Sequence, residues 1–235
     1  MMKRLLTTTF FSLFASTSAF ATTILIDDFS VDQRVIDVPT GNIPTSSEVE
    51  DAGIFGGARD LSVSTDNGAT DATELRVLDG IVGFSNIAGE SGIGAITYDG
   101  IDGDGAGVDL DGLGGIDLTF NGRAIGFQYD VLSADNDLEV IVNIWDTDEN
   151  LSQIFFTVPE DFANLTFTGS FDNAIGDADL TSVGAFQFIA TGGENLDATI
   201  RSISVSIIPL PATGAMLLGA LLMGGTWSRY RRRAS

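Results

Sequence analysis

The stretch LEVIVNIW, residues 138–145, alternates apolar and polar side chains, and this alternation decides the fold class. The even-numbered residues from Leu138 to Ile144 share one face of an extended chain, while Glu139 and Asn143 lie on the other. A period of two residues is typical of a β-strand with one face in a core and one face in water.

Similar short runs recur from residue 22 to residue 207, separated by Gly, Asp and Asn, and no stretch has helical periodicity. More than ten strands in fewer than 200 residues predict an all-β fold, an antiparallel β-sandwich of jelly-roll type. The clearest loop is expected at Gly41–Ser47. The predicted strands are Thr23–Phe29, Arg34–Val38, Leu61–Ser64, Glu74–Leu78, Ile81–Ile87, Gly94–Tyr98, Ile116–Phe120, Ala124–Leu132, Leu138–Trp145, Gln153–Val158, Leu165–Thr168, Val183–Ala190 and Ala198–Ile207.

Two segments near the ends of this region support the jelly roll over a barrel. IDDF, Ile26–Phe29, and LDATI, Leu196–Ile200, resemble the first and last strands of carbohydrate-binding-type jelly rolls. The resemblance implies that the first and last strands run side by side.

Composition excludes several classes of chemistry. The chain has no Cys and no His, which removes disulfides, thiolate nucleophiles, His general bases and the usual zinc or haem ligands. Six of its 11 basic residues lie at the two ends, so the five between Thr22 and Ile208 face all 33 acidic residues. Such a surface repels nucleic acid and attracts cations, divalent ones most strongly.

The first 21 residues predict a signal peptide. Lys3 and Arg4 form a positive start, an apolar stretch follows over Leu5–Ala15, and Ala19 and Ala21 form a small-x-small cleavage site. We expect the secretion translocon to export the chain and the mature protein to begin at Thr22.

The other end of the chain predicts a membrane anchor. Ala212–Trp227 supplies 16 residues without a formal charge, about 24 Å as a helix and slightly less than a bilayer core. By the positive-inside rule, the basic cluster after it holds that end in the cytoplasm. The cluster contains Arg229, Arg231, Arg232 and Arg233.

The motif before this helix carries a resemblance of its own. Pro209 and Pro211 flank Leu210 and hold this segment extended, a conformation that a processing enzyme can bind. Residues 208–235 contain this motif, then the apolar helix and then the arginine cluster. In this order they resemble the PEP-CTERM class of sorting signal in its VPLPA variant, found on exported proteins of Gram-negative bacteria. The class implies that an exosortase, a membrane-embedded Cys transpeptidase, removes the helix and tail at the inner membrane and passes the protein toward the cell surface or extracellular matrix. The motif consists of Ile208, in place of the Val of the variant's name, followed by Pro209, Leu210, Pro211 and Ala212.

The segment from Tyr98 to Gly112 is the densest acidic stretch and the candidate Ca²⁺ site. Oxygen ligands spaced by glycines suit Ca²⁺, yet an EF-hand beginning at Asp102 would place Leu113 at its twelfth position, where an acid is needed. The alternative is a solvated Gly/Asp loop that binds no ion. Other acidic clusters, such as Asp146–Asn150, are expected to form turns. The candidate ligands are Asp99, Asp102, Asp104, Asp109 and Asp111.

Trp145 is the candidate glycan-binding residue, because it falls opposite the apolar face of its strand. As an alternative, it covers the edge of the core at the strand end. Tyr129 is in phase with Phe127 and Val131, and we expect it to be buried.

These patterns together predict an exported, non-catalytic protein of the cell surface or extracellular matrix. It would consist of a signal peptide, a β-sandwich domain and a C-terminal sorting signal, at residues 1–21, 22–207 and 208–235. A jelly-roll module that binds extracellular polysaccharide or Ca²⁺ is the alternative function. Glycoside hydrolysis requires only two carboxylates, so a carboxylate-dependent hydrolase or lyase is a second alternative, although no pair of acids stands in a recognisable motif.

Overall fold

The computed structural model of the chain describes residues 22–37, 44–65, 72–160 and 162–208. These residues form a sandwich of two antiparallel β-sheets, with fourteen strands and one short 3₁₀ turn at Phe171–Asn173. No helix in this part of the chain is long and apolar enough to span a bilayer. The residues of the predicted signal peptide and of the sorting signal after Ile208 lie outside the described ranges.

The first sheet has seven strands in the order β11-β8-β14-β6-β5-β2, with β1 also paired to β14. The long strand β14 is central, because β8 pairs along it on one side and β1 and β6 share the other. The strands are β1 Thr22–Asp27, β2 Gln33–Ile36, β5 Thr73–Leu78, β6 Ile81–Asn86, β8 Ala124–Ala134, β11 Phe162–Ser170 and β14 Asp197–Ile207.

The second sheet also has seven strands, in the order β12-β10-β9-β13-β7-β4-β3. Strands β9, β13 and β7 form its centre. The strands are β3 Thr45–Glu50, β4 Ala58–Thr65, β7 Gly92–Tyr98, β9 Leu138–Asp146, β10 Leu151–Val158, β12 Ile175–Gly176 and β13 Val183–Gly192.

The first and last strands run side by side, as the resemblance to jelly rolls implies. Thr22 pairs with Ile207 and Asp27 with Ile203, in antiparallel register. This pairing places the first and last described strands next to each other in the first sheet.

The core lies between the two sheets and follows the predicted alternation. The apolar face of β9, from Leu138 to Ile144, is buried, and Tyr129 is buried as expected. Aromatic rings from both sheets meet at the centre, where the Phe127 ring lies 5.1 Å from the Phe188 ring, measured between centroids. Edge-to-face packing of this kind adds to the apolar area that holds the sheets together.

Two sequence predictions are wrong. Ile116–Phe120 is not a strand but a turn, joined to the sheet by one bridge between Ile116 and Val183. The Asp117 carboxylate accepts hydrogen bonds from the backbone N–H groups of Thr119 and Asn121, and an acidic side chain used in this way favours a turn over a strand.

The prediction of a loop over Gly41–Ser47 is also wrong at its end, and residues 41–43 lie outside the described ranges. Thr45–Ser47 begins the edge strand β3, whose sequence TSSEVE has no apolar alternation to reveal it. The two-residue strand β12 was missed for a similar reason, because it is too short to show a period.

Candidate functional site

The outer face of the second sheet carries one row of polar side chains that crosses six strands. Each residue is the direct antiparallel partner of the next, so all of the side chains project to the same face. We call this set the cross-strand row. In order from β3 to β10, it consists of Glu48, Asp60, Thr97, Gln187, Asn143 and Gln153.

Side-chain amides form one half of the row and are hydrogen-bonded to each other along it. Gln187 Nε2 donates to Thr97 Oγ1 at 2.9 Å, and Asn143 Nδ2 donates to Gln187 Oε1 at 3.3 Å. Gln153 Nε2 in turn donates to Asn143 Oδ1 at 2.9 Å. The lateral bonds fix the orientation of the amides, of which Asn143 is buried and Gln187 and Gln153 are half-buried.

Apolar side chains flank the amides on both sides. Trp145 lies next to Asn143 along β9, on the outer face as predicted, and is half-buried beside its strand partner Leu151. On the other side of the row are Ile141 and its partner Phe155, which is 54% exposed. The amides therefore lie in a polar strip between two apolar borders.

Beyond Thr97 the row ends in two carboxylates, Glu48 and Asp60, where β3 and β4 meet the loop that follows β7. One carboxylate oxygen each from Glu48, Asp60 and Asp102 lies within 4.8 Å of the others. Asp99 adds a fourth carboxylate beside Asp60, and both of these residues are only 1% exposed. We call these four residues the acidic cluster.

Backbone N–H groups of the loop orient three members of the acidic cluster. Gly103 donates to Glu48 Oε2 at 2.8 Å, which ties the loop to the edge strand. Asp104 donates to Asp102 Oδ1, and Asp109 donates to Asp99 Oδ2, both at 2.7 Å. Gly103 has a φ of 78°, a left-handed conformation that glycine adopts without strain.

Asp60 differs from the other three, because no hydrogen-bond donor within the described ranges orients its carboxylate. Neither of its carboxylate oxygens, nor Oδ1 of Asp99, receives a hydrogen bond from the described residues. Two carboxylates can bond to each other only when one of them holds a proton. Arg59, the preceding residue in the chain, points into the core and pairs there with Asp27, so it does not partner Asp60.

The electrostatics of the acidic cluster follow from this arrangement. Burial, then the negative charge and close contact of the Asp99 carboxyl, and then the charges of Glu48 and Asp102, raise the pKa of Asp60 to about 9. Burial is also the main reason that the pKa of Asp99 is raised. Charged carboxylates at this position therefore need a positive partner, and an all-oxygen set of this kind is what Ca²⁺ coordination uses.

The structure brings together two of the five predicted calcium ligands, Asp99 and Asp102. It adds Glu48 and Asp60, which sequence reasoning missed because they come from strands far from the loop. The remaining predicted ligands are exposed and are not among the grouped carboxylates; they are Asp104, Asp109 and Asp111. Two of these three, Asp104 and Asp109, accept hydrogen bonds from backbone N–H groups two residues further on.

No protein-family model matches this chain, and no curated protein matches it. Its structural neighbours include carbohydrate-binding modules, the class that its terminal strands resemble. A family 11 module from Clostridium thermocellum, in complex with a β-1,3-1,4-mixed-linked tetrasaccharide, aligns with a TM-score of 0.38 and 12% identity, over 80% of this chain and 96% of that chain. A family 29 module aligns with a TM-score of 0.36 and 10% identity, over 80% and 89%.

The structure of PfGH50B aligns with a TM-score of 0.40 and 9% identity. The alignment covers 65% of this chain but only 23% of that larger protein. All three likenesses are remote. The sandwich architecture is established by the strand pairing of this chain itself.

Proposed function

We propose that this chain is an exported, non-catalytic protein of the cell surface or extracellular matrix, whose sandwich binds polysaccharide on the outer face of its second sheet. The observation that carries the proposal is the strip of hydrogen-bonded amides between two apolar borders. The export signals predicted at both ends of the sequence agree with a polysaccharide outside the cell.

The chemistry of the strip suits a sugar chain. Each Asn or Gln amide both donates and accepts, as sugar hydroxyls do, and Trp145 and Phe155 offer apolar surface to the C–H faces of a sugar ring. Lateral hydrogen bonds hold the amides in place before a ligand arrives, which reduces the entropy lost on binding.

The outer face of the first sheet has a different character and provides a control surface. It carries short hydroxyl and acidic side chains, such as Ser133 hydrogen-bonded to Thr199 at 2.7 Å and Asp130 to Thr166 at 2.7 Å. Exposed apolar side chains such as Leu25 occur on this face as well, so the difference is that hydroxyl and acidic groups take the place of linked amides here.

Affinity electrophoresis through gels that contain soluble polysaccharides tests the binding. We expect at least one uncharged β-glucan or mannan to retard the protein. The variants N143A/Q187A and W145A should each weaken this retardation at least tenfold. The control S133A/T199A changes two polar residues on the opposite face and retains binding. Equal retardation of the control and the amide variant, or no retardation in any gel, contradicts the proposal.

Export and sorting have a separate test. We infer that a signal peptidase cuts after Ala21 and that an exosortase-type enzyme removes the residues beyond the motif at Ile208–Ala212. Intact-mass measurement of protein from the surface of native cells reports both cuts. A mass that still includes Arg231 to Arg233 contradicts the sorting proposal and leaves the binding proposal standing.

A further inference from the structure

Asp60 presents a problem that the amide strip does not explain. Its carboxylate is almost wholly buried, neither of its oxygens has a donor among the residues that the structure describes, and three other carboxylates lie close to it. An unpaired buried charge costs several kcal/mol, and nothing in the backbone geometry of β4 demands an aspartate at this position.

Three states could resolve the problem. Solvation by bulk water is excluded, because Asp60 and Asp99 are each only 1% exposed. A proton shared by Asp60 and Asp99 satisfies those two groups but leaves Glu48 and Asp102 close by as two further negative charges. A bound cation satisfies all four carboxylates at once.

We propose that Glu48, Asp60, Asp99 and Asp102 bind one divalent cation of the Ca²⁺ class, a site that joins β3, β4 and the loop after β7. The unpartnered oxygens of Asp60 and Asp99 point to this ligand, and the convergence of the Glu48, Asp60 and Asp102 oxygens within 4.8 Å gives it a place to bind. The proposal does not depend on polysaccharide binding.

The ligand set selects the class of ion. All of the ligands are carboxylate oxygens, and the chain contains no His or Cys that would favour zinc or copper. Four carboxylates provide up to eight oxygen atoms, and Ca²⁺ takes six to eight at flexible angles. Mg²⁺ requires a near-ideal octahedron and retains several waters, which suits a closed cluster of carboxylates less well.

The position of the site gives the ion a structural consequence. Glu48 belongs to the edge strand β3 and Asp60 to β4, whereas Asp99 and Asp102 belong to the loop. A shared ion therefore fastens the loop and the sheet edge together, at the end of the cross-strand row. Because the unfolded chain lacks such a site, ion binding raises the stability of the folded protein.

The test is thermal unfolding of the protein after EGTA treatment and dialysis, followed by addition of CaCl₂ or MgCl₂ at constant ionic strength. We expect the Tm to rise by about 5–10 °C at a free Ca²⁺ concentration of about one hundred times the Kd, and less with Mg²⁺. Isothermal titration with CaCl₂ should give one ion per chain.

Matched variants separate a built site from general charge screening. D60N and E48Q each remove one acidic-cluster charge, and we expect at least a tenfold loss of Ca²⁺ affinity in both. D104N and D111N remove the same charge from exposed positions on the same loop and keep the wild-type shift. If D60N fails to fold, E48Q still tests the site, because Glu48 lies on an edge strand and is not buried.

Two results would overturn the inference. One is a Tm that Ca²⁺ does not move, with no binding heat. The other is an equal loss of the shift in D60N and D104N, which would show that calcium acts only on the diffuse charge of the surface. Neither readout involves polysaccharide, so failure here is distinct from failure of the proposed function.

Discussion

Asp27 and Asp60 are both 1% exposed, yet the chain provides for one of these carboxylates and not for the other. Asp27 accepts hydrogen bonds from Arg59 Nη1 at 2.8 Å, from Tyr98 Oη at 3.1 Å and from the Phe29 N–H at 2.7 Å. Asp60 accepts none from the described residues. Adjacent residues of β4 produce the contrast, since Arg59 points into the core and Asp60 points to the outer face.

The Asp27 site is complete within the chain. Arg59 Nε donates to Gln33 Oε1 at 2.8 Å, its Nη2 donates to the Val31 carbonyl at 2.7 Å, and its guanidinium lies 5.7 Å from the centre of the Phe29 ring. A buried charge with this many partners is stable without outside help. This fold can thus satisfy a buried carboxylate from its own residues, and the lack of a donor to Asp60 in the described part of the chain indicates an external partner.

Breaking the complete site should have the largest effect. Arg59→Met leaves Asp27 as an uncompensated buried charge, and we expect the free energy of unfolding to fall by about 3–5 kcal/mol. Urea denaturation measures the change. Arg34→Met is the control, because Arg34 pairs with Glu74 at the surface and a surface pair contributes about 1 kcal/mol or less. Equal losses in the two variants would contradict this reading of the core ion pair.

The same substitution at the two carboxylates sharpens the comparison. Asp27→Asn loses a charged acceptor from a satisfied network and should cost about 2–4 kcal/mol. Asp60→Asn removes a carboxyl that must otherwise take up a proton or a cation on folding, so in EGTA we expect this variant to be at least as stable as the wild type. Urea denaturation of both variants without calcium measures the difference. A large destabilisation by Asp60→Asn under these conditions would mean that the chain itself partners Asp60.

Asp146 tests whether neutral donors alone can satisfy a buried carboxylate. Its carboxylate accepts backbone hydrogen bonds from Asp148 and Asn150, both at 2.9 Å, and from Asp179 at 2.8 Å. We expect Asp146→Ala to cost about 2–3 kcal/mol, because it strands these donors. Asp148→Ala, at an exposed position in the same turn, should change stability by less than about 0.5 kcal/mol. Chemical denaturation at pH 7 compares them.

Asp146 also predicts a dependence on pH. Burial acts to raise its pKa, but the hydrogen bonds from Asp179, Asn150 and Asp148 outweigh burial and hold the pKa below its usual range. A depressed pKa contributes stability above the ordinary value near 4, and this contribution is lost as the pH falls through the lower, folded-state value. The stability difference between wild type and Asp146→Ala should therefore be constant from pH 5 to 7 and shrink below about pH 4. A difference that grows on acidification would contradict this account.

The sequence predicts much of the fold because burial has a local signature. The alternation in residues 138–145 identifies β9 and its buried face without any knowledge of its neighbours. Local pattern also explains the two wrong predictions. The sequence TSSEVE in β3 has no apolar alternation, so the strand was missed. Ile116–Phe120 does alternate, but Asp117 forms a turn there instead of a strand.

The acidic cluster was only half predictable. Asp99 and Asp102 stand out because they share one Gly-rich loop. Glu48 and Asp60 reach them only through strand pairing, in which β4 lies between β3 and β7, and no local pattern encodes that register. The one signal at Asp60 is its neighbour, since Arg-Asp within an apolar strand places a charge on each face.

A crystal structure of the protein grown in CaCl₂, with anomalous scattering used to identify the ion, shows whether the acidic cluster binds calcium. We expect one calcium within about 2.3–2.6 Å of oxygens from Asp60 and Asp99, with Glu48 and Asp102 completing the cluster. Density that shows the Asp60 and Asp99 carboxyls hydrogen-bonded to each other, with no ion between them, would contradict this expectation.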